Sequence, residues 1–453
     1  MQPTEMGTLF KGIAETANPG FVVENVVTDS RKAGENSVFV AIAGERLDGH
    51  DFVRDAFKNR AAAAVVSRRI EGVGGEQIVV GDTKDAYILM AKNCKEQFDL
   101  LSAAVTGSVG KTTTKEIVAV IFERFGATLK NEGNLNNEIG LSKTMFRISA
   151  KTRLAVFEMG MNRLGDISKL TNAVKPKAAI ITGIGLTHIE LLGTRENILK
   201  AKLEIIEGIP GDGVLIINGD DSMLMEAERG IGLNTATFAI ENKDAHVTAK
   251  DILMRPSMSE FTIVDREYGE FDAVIPAVGN HIIMDALAAY TLATRLGMDP
   301  AESAHAIRNF KPAGMRQHIV DFNGVTVIED CYNANPDSMR AVLSALASLQ
   351  IEGIKIAVLG DMLELGDFSE EEHRKLGFYA AQSSIDILLC FGENMKYTAL
   401  AARAANIPGV EWFSEKSDAA DYLSKTARAG DAVVFKGSRG MQMEEIMDMY
   451  YAK

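Results

Sequence analysis

The sequence predicts an α/β protein of three domains built on mostly parallel sheets. Short β-branched runs alternate with helical patterns along almost the whole chain, and several runs end in Gly or Asp directly before a helix. Strands that alternate with helices form βαβ units, whose strands lie parallel. The length of 453 residues exceeds what one hydrophobic core serves and suggests about three domains.

The strand prediction rests on β-branched runs spread over the chain. They are 37–44, 61–67, 76–81, 101–107, 178–185, 213–219, 355–361, 386–392 and 431–437. Shorter alternating runs in 243–278 predict an antiparallel excursion within the middle domain. Ligands of parallel sheets bind at the carboxyl ends of the strands, so the residues that follow these runs are candidates for a site.

Two boundaries are expected, which divide the chain into residues 1–86, 87–313 and 314–453. The first follows a separate strand-and-helix set that ends at VVGDTKDAY. The second lies in NFKPAGMRQH, where Pro312 and Gly314 interrupt a helical pattern.

Composition excludes several classes of protein. The net charge of -14 argues against a general nucleic-acid binder but leaves room for a local basic pocket. Cys94, Cys331 and Cys390 lie far apart without a CxxC pair, which fits a reducing compartment and argues against a disulfide framework. The N-terminus lacks the pattern of a signal peptide, and no apolar run approaches the ~18 residues of a membrane span. We therefore expect a cytoplasmic protein without a membrane span.

The stretch VTGSVGKTTT lies between a strand pattern and a helix pattern, as a phosphate-binding loop does. It is shorter than the usual pattern, because Val105 stands where the outer glycine belongs. Backbone N–H groups and the helix N-terminus form an anion site there, Lys111 can reach the β- and γ-phosphates, and Thr112 offers a hydroxyl to magnesium. The residues expected at the nucleotide are Thr106, Gly107, Ser108, Gly110, Lys111, Thr112 and Thr113. The alternative is a glycine turn with an exposed lysine.

Two candidate metal ligands follow other strands of the same domain. Glu158 ends the run RLAVFEMG, and His188 follows AAIITGIGLT. The ordinary interpretation of Glu158 is a carboxylate exposed to solvent at a strand end, and that of His188 is a packed or surface histidine. Because both residues lie at strand ends of the same domain, however, both side chains can face the loop. Oxygen ligands suit magnesium, and a histidine can complete a second site. Lys200 and Lys202 lie on different sides of one helix, and the residues alone do not choose between them.

Eight blocks in order resemble the Mur ligase family, from about residue 25 to the C-terminus. They are TDSRKAGENSVFVAIAGERLDGHDF, VTGSVGKTTTKE, NEGNLNNEIGLSKTM, FEMGMNRLGDI, GLTHIELLGTRENILKAKLEI, IEDCYNANPDSM, AVLGDMLELG and FKGSRGMQME. The resemblance explains the short loop, because this family uses TG-x-x-GKT[ST]. It implies a central P-loop-type domain with a mostly parallel sheet, flanked by an N-terminal α/β UDP-sugar domain and a C-terminal Rossmann-like α/β domain.

The resemblance also implies residue roles. In the central domain Gly110, Lys111 and Thr112 would hold ATP. Glu158 and His188 would bind two magnesium ions with Thr112, and Lys202 would be carbamoylated by carbon dioxide to support the second ion. The remaining implied residues are Arg316 near the γ-phosphate, His281, Asp330, Asn333 and Asn335 at the nucleotide, Ser30, Arg31, Asp48, Gly49 and His50 at the UDP-sugar, and Asn136 and Asn137 at the sugar-peptide.

Two positions depart from the family pattern H-N-x-x-N-A near the adenine. Ile282 and Asp285 stand where the family has asparagine, which puts the adenine contacts in doubt but not the use of ATP. An ionised Asp285 accepts a hydrogen bond but cannot donate one. Asp361 and Glu364 would either hold the incoming amine or fix a loop.

The implied activity is ATP-dependent ligation of D-alanyl-D-alanine to UDP-N-acetylmuramoyl-tripeptide (UDP-MurNAc-tripeptide) through an acyl-phosphate, in peptidoglycan precursor synthesis. The products would be UDP-MurNAc-pentapeptide, ADP and phosphate. We expect a monomer that opens and closes around the nucleotide. The sequence leaves open whether the third peptide residue is diaminopimelate or lysine. The alternatives are another amino-acid ligase of the family, a non-catalytic relative that binds nucleotide or UDP-sugar, and a P-loop kinase or GTPase.

Overall fold

Helices pack on four β-sheets in the part of the chain that the structure, a computed structural model, describes: residues 1–44 and 46–453. Three of the sheets follow one another along the sequence, and a short pair of strands precedes them. The α/β class with three successive sheets agrees with the prediction. The strands expected from β-branched runs are all present, with ends within a few residues of the runs.

The N-terminal region contains a small antiparallel pair and a four-stranded parallel sheet in the order β3-β4-β5-β6. Its elements are β1 (Thr4–Glu5), α1 (Met6–Leu9), β2 (Val22–Val23), β3 (Asn25–Val27), β4 (Ser37–Val40), α2 (Val53–Lys58), β5 (Ala63–Val66), β6 (Glu76–Val79) and α3 (Thr83–Lys95). Residue 86, where the sequence suggests a domain boundary, lies inside α3. The limits at residues 86 and 313 stay predictions.

The central region contains a nine-stranded sheet in the order β15-β14-β13-β12-β11-β10-β7-β9-β8. Its strands are β7 (Leu101–Thr106), β8 (Thr128–Lys130), β9 (Leu154–Glu158), β10 (Ala178–Ile181), β11 (Val214–Asn218), β12 (Asn234–Ala239), β13 (Val247–Arg255), β14 (Met258–Asp265) and β15 (Gly269–Ile275). Strands β7 to β13 pair in parallel, whereas β14 and β15 pair antiparallel, which confirms the predicted excursion.

The helices of the central region cover this sheet. They are α4 (Lys111–Glu123), α5 (Glu138–Met145), α6 (Asp166–Val174), α7 (Ile189–Leu192), α8 (Arg195–Leu203), α9 (Ser222–Glu228), α10 (Asn280–Arg295) and α11 (Pro300–Ala306). Helices α4 and α10 carry long runs of buried apolar residues and pack against each other on one face of the sheet. In both helices the apolar residues recur at helical spacing and form one face, which is buried against the sheet. The polar residues of each helix therefore lie outside that buried face.

The C-terminal region contains a six-stranded sheet in the order β16-β17-β21-β18-β19-β20, parallel except for β16. Its elements are β16 (His318–Phe322), β17 (Val325–Glu329), α12 (Pro336–Ser348), β18 (Lys355–Gly360), α13 (Ser369–Gln382), β19 (Ile387–Phe391), α14 (Met395–Ala404), β20 (Gly409–Phe413), α15 (Lys416–Thr426), β21 (Ala432–Lys436) and α16 (Glu444–Tyr451). Within the described residues, no helix is both long and apolar enough to cross a bilayer.

Candidate active site

The phosphate loop connects the end of β7 to the start of α4. Gly107 lies so close to Thr182 that a Cβ on it would stand 1.8 Å from the Thr182 hydroxyl oxygen. Gly110 precedes α4 with φ +86°, in the left-handed region, and a Cβ there would stand 2.3 Å from Asp285 Oδ1. Both positions exclude a side chain, so the sequence needs glycine at each. The loop therefore has the compact form that presents backbone N–H groups and a helix N-terminus to an anion.

Lys111 is the first residue of α4 and reaches back across the loop. Its Nζ donates to the carbonyl of Gly107 at 2.8 Å. Burial lowers the pKa of Lys111, the Glu158 charge opposes that change, and the Arg316 charge adds to it. Two cations and one carboxylate thus act on each other around the loop, an arrangement that favours binding of a multiply charged anion.

The Glu158 carboxylate is buried and held at both oxygens. Thr112 Oγ1 donates to Oε2 at 2.9 Å, and Asn136 Nδ2 donates to Oε1 at 2.7 Å. Asn131 fixes the backbone of Glu158, since it accepts from the N–H at 2.8 Å and donates to the carbonyl at 3.2 Å. The carboxylate therefore stands beside the first turn of α4, where the sequence places it.

Lys115 supplies a buried positive charge that the sequence did not single out. Its side chain is fully buried, and Nζ lies 2.8 Å from the Asn131 carbonyl, 3.1 Å from Glu116 Oε1 and 3.8 Å from Glu158 Oε2. A buried charge is tolerated when it is paired and hydrogen-bonded. Lys115 therefore fixes the loop that carries Asn131 and balances the charge of Glu158.

His188 follows β10 and has φ +65°, which turns the chain into α7. Burial lowers the pKa of His188 to about 4, and the charges of Lys111 and Lys202 act in the same direction. The ring is therefore neutral at neutral pH, and one of its nitrogens is free to accept a hydrogen bond or bind a metal. Its Nδ1 lies 3.6 Å from Glu364 Oε2.

Lys202 and Lys200 differ in a way that the sequence could not decide. Lys202 is 1% exposed, whereas Lys200 is exposed on the same helix, α8. Burial lowers the pKa of Lys202 well below its usual value, and the Lys111 charge acts in the same direction. Across the described residues, Lys202 Nζ has neither a hydrogen bond nor an ion pair. The structure thus identifies Lys202 as the unusual lysine.

A cavity of about 330 Å³ lies between the phosphate loop and the C-terminal sheet. Predicted site residues from both sides line it: Ser108, Gly110, Lys111, Thr112, Thr113, Asn136, Glu158, His188, His281, Arg316, Asp330, Asn333 and Asn335. Four predicted residues of the central domain, Thr106, Gly107, Asn137 and Lys202, lie outside its lining. The Thr106 hydroxyl donates to the carbonyl of Met159 at 2.9 Å, so its side chain supports the loop from below.

The C-terminal wall of the cavity is organised by Lys436. This lysine is 3% exposed, and its Nζ lies 2.7 Å from Asp330 Oδ2 and 3.0 Å from the Asn333 carbonyl. Burial lowers the pKa of His281 to about 4, the Asp330 charge opposes this, and the Lys436 charge adds to it. The guanidinium of Arg316 stacks 3.9 Å from the Tyr332 ring centroid.

Hydrogen bonds connect the two walls through Thr187. Asn335 Nδ2 donates to Thr187 Oγ1 at 2.8 Å, and the Thr187 hydroxyl donates to the Ser108 carbonyl at 3.2 Å. Asn335 also caps α12, because its Oδ1 accepts from the Ser338 N–H at 2.8 Å. Asp337 Oδ2 accepts from the Leu186 N–H at 3.3 Å. The phosphate loop and the first turn of α12 are thereby held together.

A second cavity of about 390 Å³ continues from the first toward α3. Asn136, Gly160, Met161 and Asn162 line both cavities, and Asn137 lines the second. Asn137 also caps α5, since its Oδ1 accepts from the Gly140 N–H at 2.9 Å.

The predicted UDP-sugar residues lie in two turns of the N-terminal region and line neither cavity. Asp48 Oδ1 lies 2.6 Å from His50 Nδ1, and the Ser67 N–H donates to His50 Nε2 at 2.9 Å. Nε2 therefore accepts, and the ring proton lies on Nδ1 and is donated to Asp48. A Cβ on Gly49 would stand 2.6 Å from the Ile42 nitrogen, so this turn requires glycine.

The TDSR block forms the other predicted UDP-sugar turn of this region. Ser30 is buried, and its carbonyl accepts from Asn59 Nδ2 at 2.9 Å. The Arg31 side chain is 87% exposed and pairs with Asp29 at 2.8 Å. These contacts hold the turn and leave the guanidinium at the surface.

Asp361 fixes a loop in the C-terminal domain. Its carboxylate accepts from the Met395 N–H at 2.8 Å and from the Asn394 N–H at 3.2 Å, at the start of α14. Among the residues that the structure covers, no three His, Cys, Asp or Glu side chains cluster closely enough to hold a metal by themselves. A metal near Glu158 would take its other ligands from hydroxyls, water and phosphate oxygens, as magnesium does.

Several residues of the site escaped the sequence prediction. Thr182, Thr187, Lys115, Asn131 and Lys436 carry contacts described above, but none stands in a position that spacing alone marks as functional. Lys436 could have been predicted from one feature, since it follows the apolar residues of a β-branched run, as Glu158 does.

Comparisons with known proteins agree with this geometry. Three family models match: Mur ligase family, catalytic domain, over residues 22–91; Mur ligase middle domain over 105–293; and Mur ligase, glutamate ligase domain, over 315–439. The chain is 36% identical to the UDP-N-acetylmuramoyl-tripeptide--D-alanyl-D-alanine ligase of Bacillus subtilis, over 96% of this chain and 97% of the relative.

Solved structures agree as well. The crystal structure of MurF from Acinetobacter baumannii superposes with a TM-score of 0.92 at 30% identity, covering 100% of both chains. The MurF ligase of Thermotoga maritima in complex with ADP superposes with a TM-score of 0.86 at 26% identity, over 94% of this chain and 97% of that one. The chain belongs to the Mur ligase family.

Proposed function

We propose that this chain joins D-alanyl-D-alanine to UDP-MurNAc-tripeptide. It is an ATP-dependent ligase of peptidoglycan precursor synthesis, and its relatives of nearly full length are named for this reaction. The observation that carries the proposal is the cavity between the phosphate loop and Asp330–Lys436, where Lys111, Glu158 and Arg316 converge. Two solved structures of other ligases, a UDP-N-acetylmuramoyl-L-alanyl-D-glutamate--2,6-diaminopimelate ligase and the folylpolyglutamate synthase of Mycobacterium tuberculosis, are 16% identical to this chain, a likeness that extends to the fold alone.

The nucleotide phosphates are assigned to the loop and to two cations. The N–H groups of residues 107–113 and the N-terminus of α4 favour the anion, and Lys111 adds a charge on the β- and γ-phosphates. Arg316, which approaches from the opposite wall, neutralises the γ-phosphate. Asp330, Asn333 and Asn335 bind the remainder of the nucleotide from the C-terminal side, and His281 binds it from α10 of the central domain.

Magnesium is assigned to Thr112, Glu158 and His188. The residues fit such an ion, since Glu158 presents a buried carboxylate beside the Thr112 hydroxyl and His188 is neutral. Bound Mg²⁺ supplies positive charge that neutralises the phosphoryl group during transfer. A second ion would need another anion near His188.

Lys202 supplies that anion as a carbamate. Its neutral amine attacks carbon dioxide, an N–C bond forms while one C–O π bond breaks, and one N–H proton leaves to water, so that a neutral amine becomes an anionic carbamate. Burial lowers the pKa of Lys202 well below its usual value, which favours the nucleophilic neutral form. The Lys111 charge, which disfavours an ammonium at this position, favours an anion there.

The reaction then proceeds in two displacements. A terminal carboxylate oxygen of the tripeptide attacks the γ-phosphorus, and the bond to ADP breaks. The free amine of D-alanyl-D-alanine attacks the resulting acyl-phosphate, and the tetrahedral intermediate breaks its bond to phosphate, which leaves with the N–H proton, and becomes the amide. Lys111 and Arg316 neutralise charge and hold the reactants in line, which is the main demand of phosphoryl transfer.

The sugar-peptide is assigned to the second cavity and the N-terminal sheet. Asn136 borders both cavities, so a peptide bound beside Asn136 and Asn137 has its carboxyl group directed at the phosphate loop. The UDP-sugar is assigned to the two turns that contain Ser30, Arg31, Asp48, Gly49 and His50.

The domain limits 1–86, 87–313 and 314–453 remain part of the proposal, as do a monomeric state and a cytoplasmic location, where ATP is available. Because both walls of the cavity contribute nucleotide ligands, the two domains open and close around ATP. Scattering curves that stay the same with an ATP analogue and both substrates would contradict this motion.

The test of the reaction is phosphate release from ATP with UDP-MurNAc-tripeptide, with and without D-alanyl-D-alanine. Release that requires both substrates, together with UDP-MurNAc-pentapeptide in the mass spectrum, is the expected outcome. Tripeptides that contain diaminopimelate or lysine at the third position are compared in parallel. No release with either tripeptide, despite tight ATP binding, would shift the assignment to another ligase of the family.

A further inference from the structure

Gln317 is a buried polar residue without a partner. It is 4% exposed, and neither its Oε1 nor its Nε2 has a hydrogen-bond partner in the described part of the chain. It lines the cavity between the phosphate loop and the C-terminal sheet. Buried amides are nearly always hydrogen-bonded, so this one calls for a partner that binds in the cavity.

The backbone at Gln317 is also unusual. Its φ is +55°, in the left-handed region that a long side chain rarely adopts. The residue stands directly before β16 and after Arg316, whose guanidinium stacks on Tyr332. The Tyr332 N–H donates to the Met315 carbonyl at 3.1 Å, which ties this turn to the cavity wall. The turn thus places Gln317 at the cavity, although its backbone conformation is an unfavourable one for a residue with a side chain.

The surroundings of Gln317 suit a flat aromatic ligand. Tyr332, Ile282 and Ala341 give the cavity an aromatic and apolar lining. Ile282 has no polar side-chain atom, and Asp285 Oδ1 already accepts from Thr114 Oγ1 at 3.0 Å. Burial raises the pKa of the Asp285 carboxyl group well above its usual value, while the Thr114 hydrogen bond and the Arg316 charge act in the opposite direction. Gln317 is therefore a buried amide without a hydrogen-bond partner among the described residues, and it shares the cavity with surfaces on which a nucleotide base can lie.

We propose that the Gln317 amide recognises the base of the bound nucleotide, with Oε1 accepting from the exocyclic 6-amino group and Nε2 donating to the adjacent ring nitrogen. This assignment rests on the proposed use of ATP in this cavity. Adenine presents that donor beside an acceptor, and a side-chain amide matches both at once. Gln317 is thus a specificity-determining residue that makes the nucleotide site selective for a 6-aminopurine.

The test compares ATP with purine riboside 5′-triphosphate, which lacks the 6-amino group. Dissociation constants are measured by calorimetry for the full chain and for Gln317→Met, which keeps the length of the side chain and removes its polar atoms. We expect the wild type to bind ATP about tenfold more tightly than the analogue, because the analogue leaves Oε1 unpaired. Gln317→Met should bind both ligands alike, at about the strength with which the wild type binds the analogue.

Controls separate recognition from a structural role. Gln382→Met changes an exposed glutamine on α13 and should keep the wild-type ratio. If Gln317→Met does not fold, the wild type alone still tests the proposal, since equal binding of ATP and the analogue overturns it. A variant that weakens ATP and the analogue by the same factor also overturns it, because Gln317 would then act only on the shape of the turn.

The ligation assay distinguishes this proposal from the proposed function. Pentapeptide formation with ATP but no discrimination against the analogue would leave the ligase assignment in place and remove the role of Gln317. Failure of the wild type to bind ATP would overturn both.

Discussion

The Thr112 hydroxyl donates to Glu158 across the ends of two neighbouring strands, over 2.9 Å. Strands β7 and β9 pair in parallel with Val105 opposite Glu158, so the carboxylate at the end of β9 meets the helix that follows β7. The contact is therefore a consequence of sheet topology. It places a carboxylate oxygen beside the Thr112 hydroxyl, the two groups to which we assign magnesium.

Glu158→Gln should lower kcat by a factor of about 10²–10³, the range found when one group that stabilises transition-state charge is removed. The neutral amide no longer provides a charge for the metal, and its NH₂ faces one of the two donors, Thr112 or Asn136. The measurement is steady-state phosphate release at increasing Mg²⁺. Glu241→Gln, at an exposed position, should behave as the wild type. A Glu158→Gln enzyme that reaches the wild-type kcat at moderate Mg²⁺ would contradict the assignment.

Lys202→Ala should abolish most activity, by about 10² or more, since it removes the ligand that we assign to the second metal. Wild-type activity should fall in carbon-dioxide-free buffer and return with bicarbonate, because the carbamate forms reversibly. Pentapeptide formation with and without bicarbonate measures both effects.

Lys200→Ala is the matched control for Lys202→Ala, because Lys200 lies two positions away on the same helix and is exposed. It should keep both the activity and the bicarbonate response. Loss of activity in both variants, or a bicarbonate response that persists in Lys202→Ala, would count against carbamoylation.

The sequence predicted the elements of the site better than their contacts. Strand runs, the loop and the strand-end positions of Glu158 and His188 follow from local pattern, since a parallel sheet brings all its carboxyl ends to one edge. Lys115 and Asn131 were missed because their importance depends on a buried contact with Glu158, which is 27 residues from Asn131. Pairing over that distance has no local signature.

The importance of Lys202 also could not be predicted from local sequence pattern. Helical spacing separates it from Lys200 but does not say which side of α8 faces the core. Only the packing of α8 on the central domain decides that Lys202 is buried. Asn335 was expected at the nucleotide, and it lines the cavity, but its amide also caps α12 and contacts Thr187.

Asn335→Ala should destabilise the C-terminal domain by about 1 kcal/mol, because α12 loses its N-cap acceptor. Asn335→Asp should keep most of that stability, since a carboxylate accepts from the Ser338 N–H and suits a helix N-terminus. Urea unfolding followed by fluorescence of Trp412, the single tryptophan, reports on this domain. Equal destabilisation by both substitutions would show that the bond to Thr187, and not the cap, carries the effect.

His281 should make the fold sensitive to mild acid. Burial lowers the pKa of His281 to about 4 in the folded chain, although Asp330 opposes that change, whereas an unfolded chain takes up the proton near the ordinary value of ~6.5. The unfolded state therefore binds more protons between these values, and stability present at pH 7 is lost as the pH falls through that window. Below pH ~4 both states are protonated, so the loss stops growing.

His281→Gln should reduce this acid sensitivity without removing it, because burial also lowers the pKa of His188 to about 4. The measurement is the urea midpoint at intervals from pH 7 to pH 5, for the wild type and for the variant. The wild-type midpoint should fall more steeply than that of His281→Gln, while His305→Gln, at an exposed position, should follow the wild type. If the two curves run parallel, His281 takes up its proton in the folded chain as easily as in the unfolded one, and the acid sensitivity arises elsewhere.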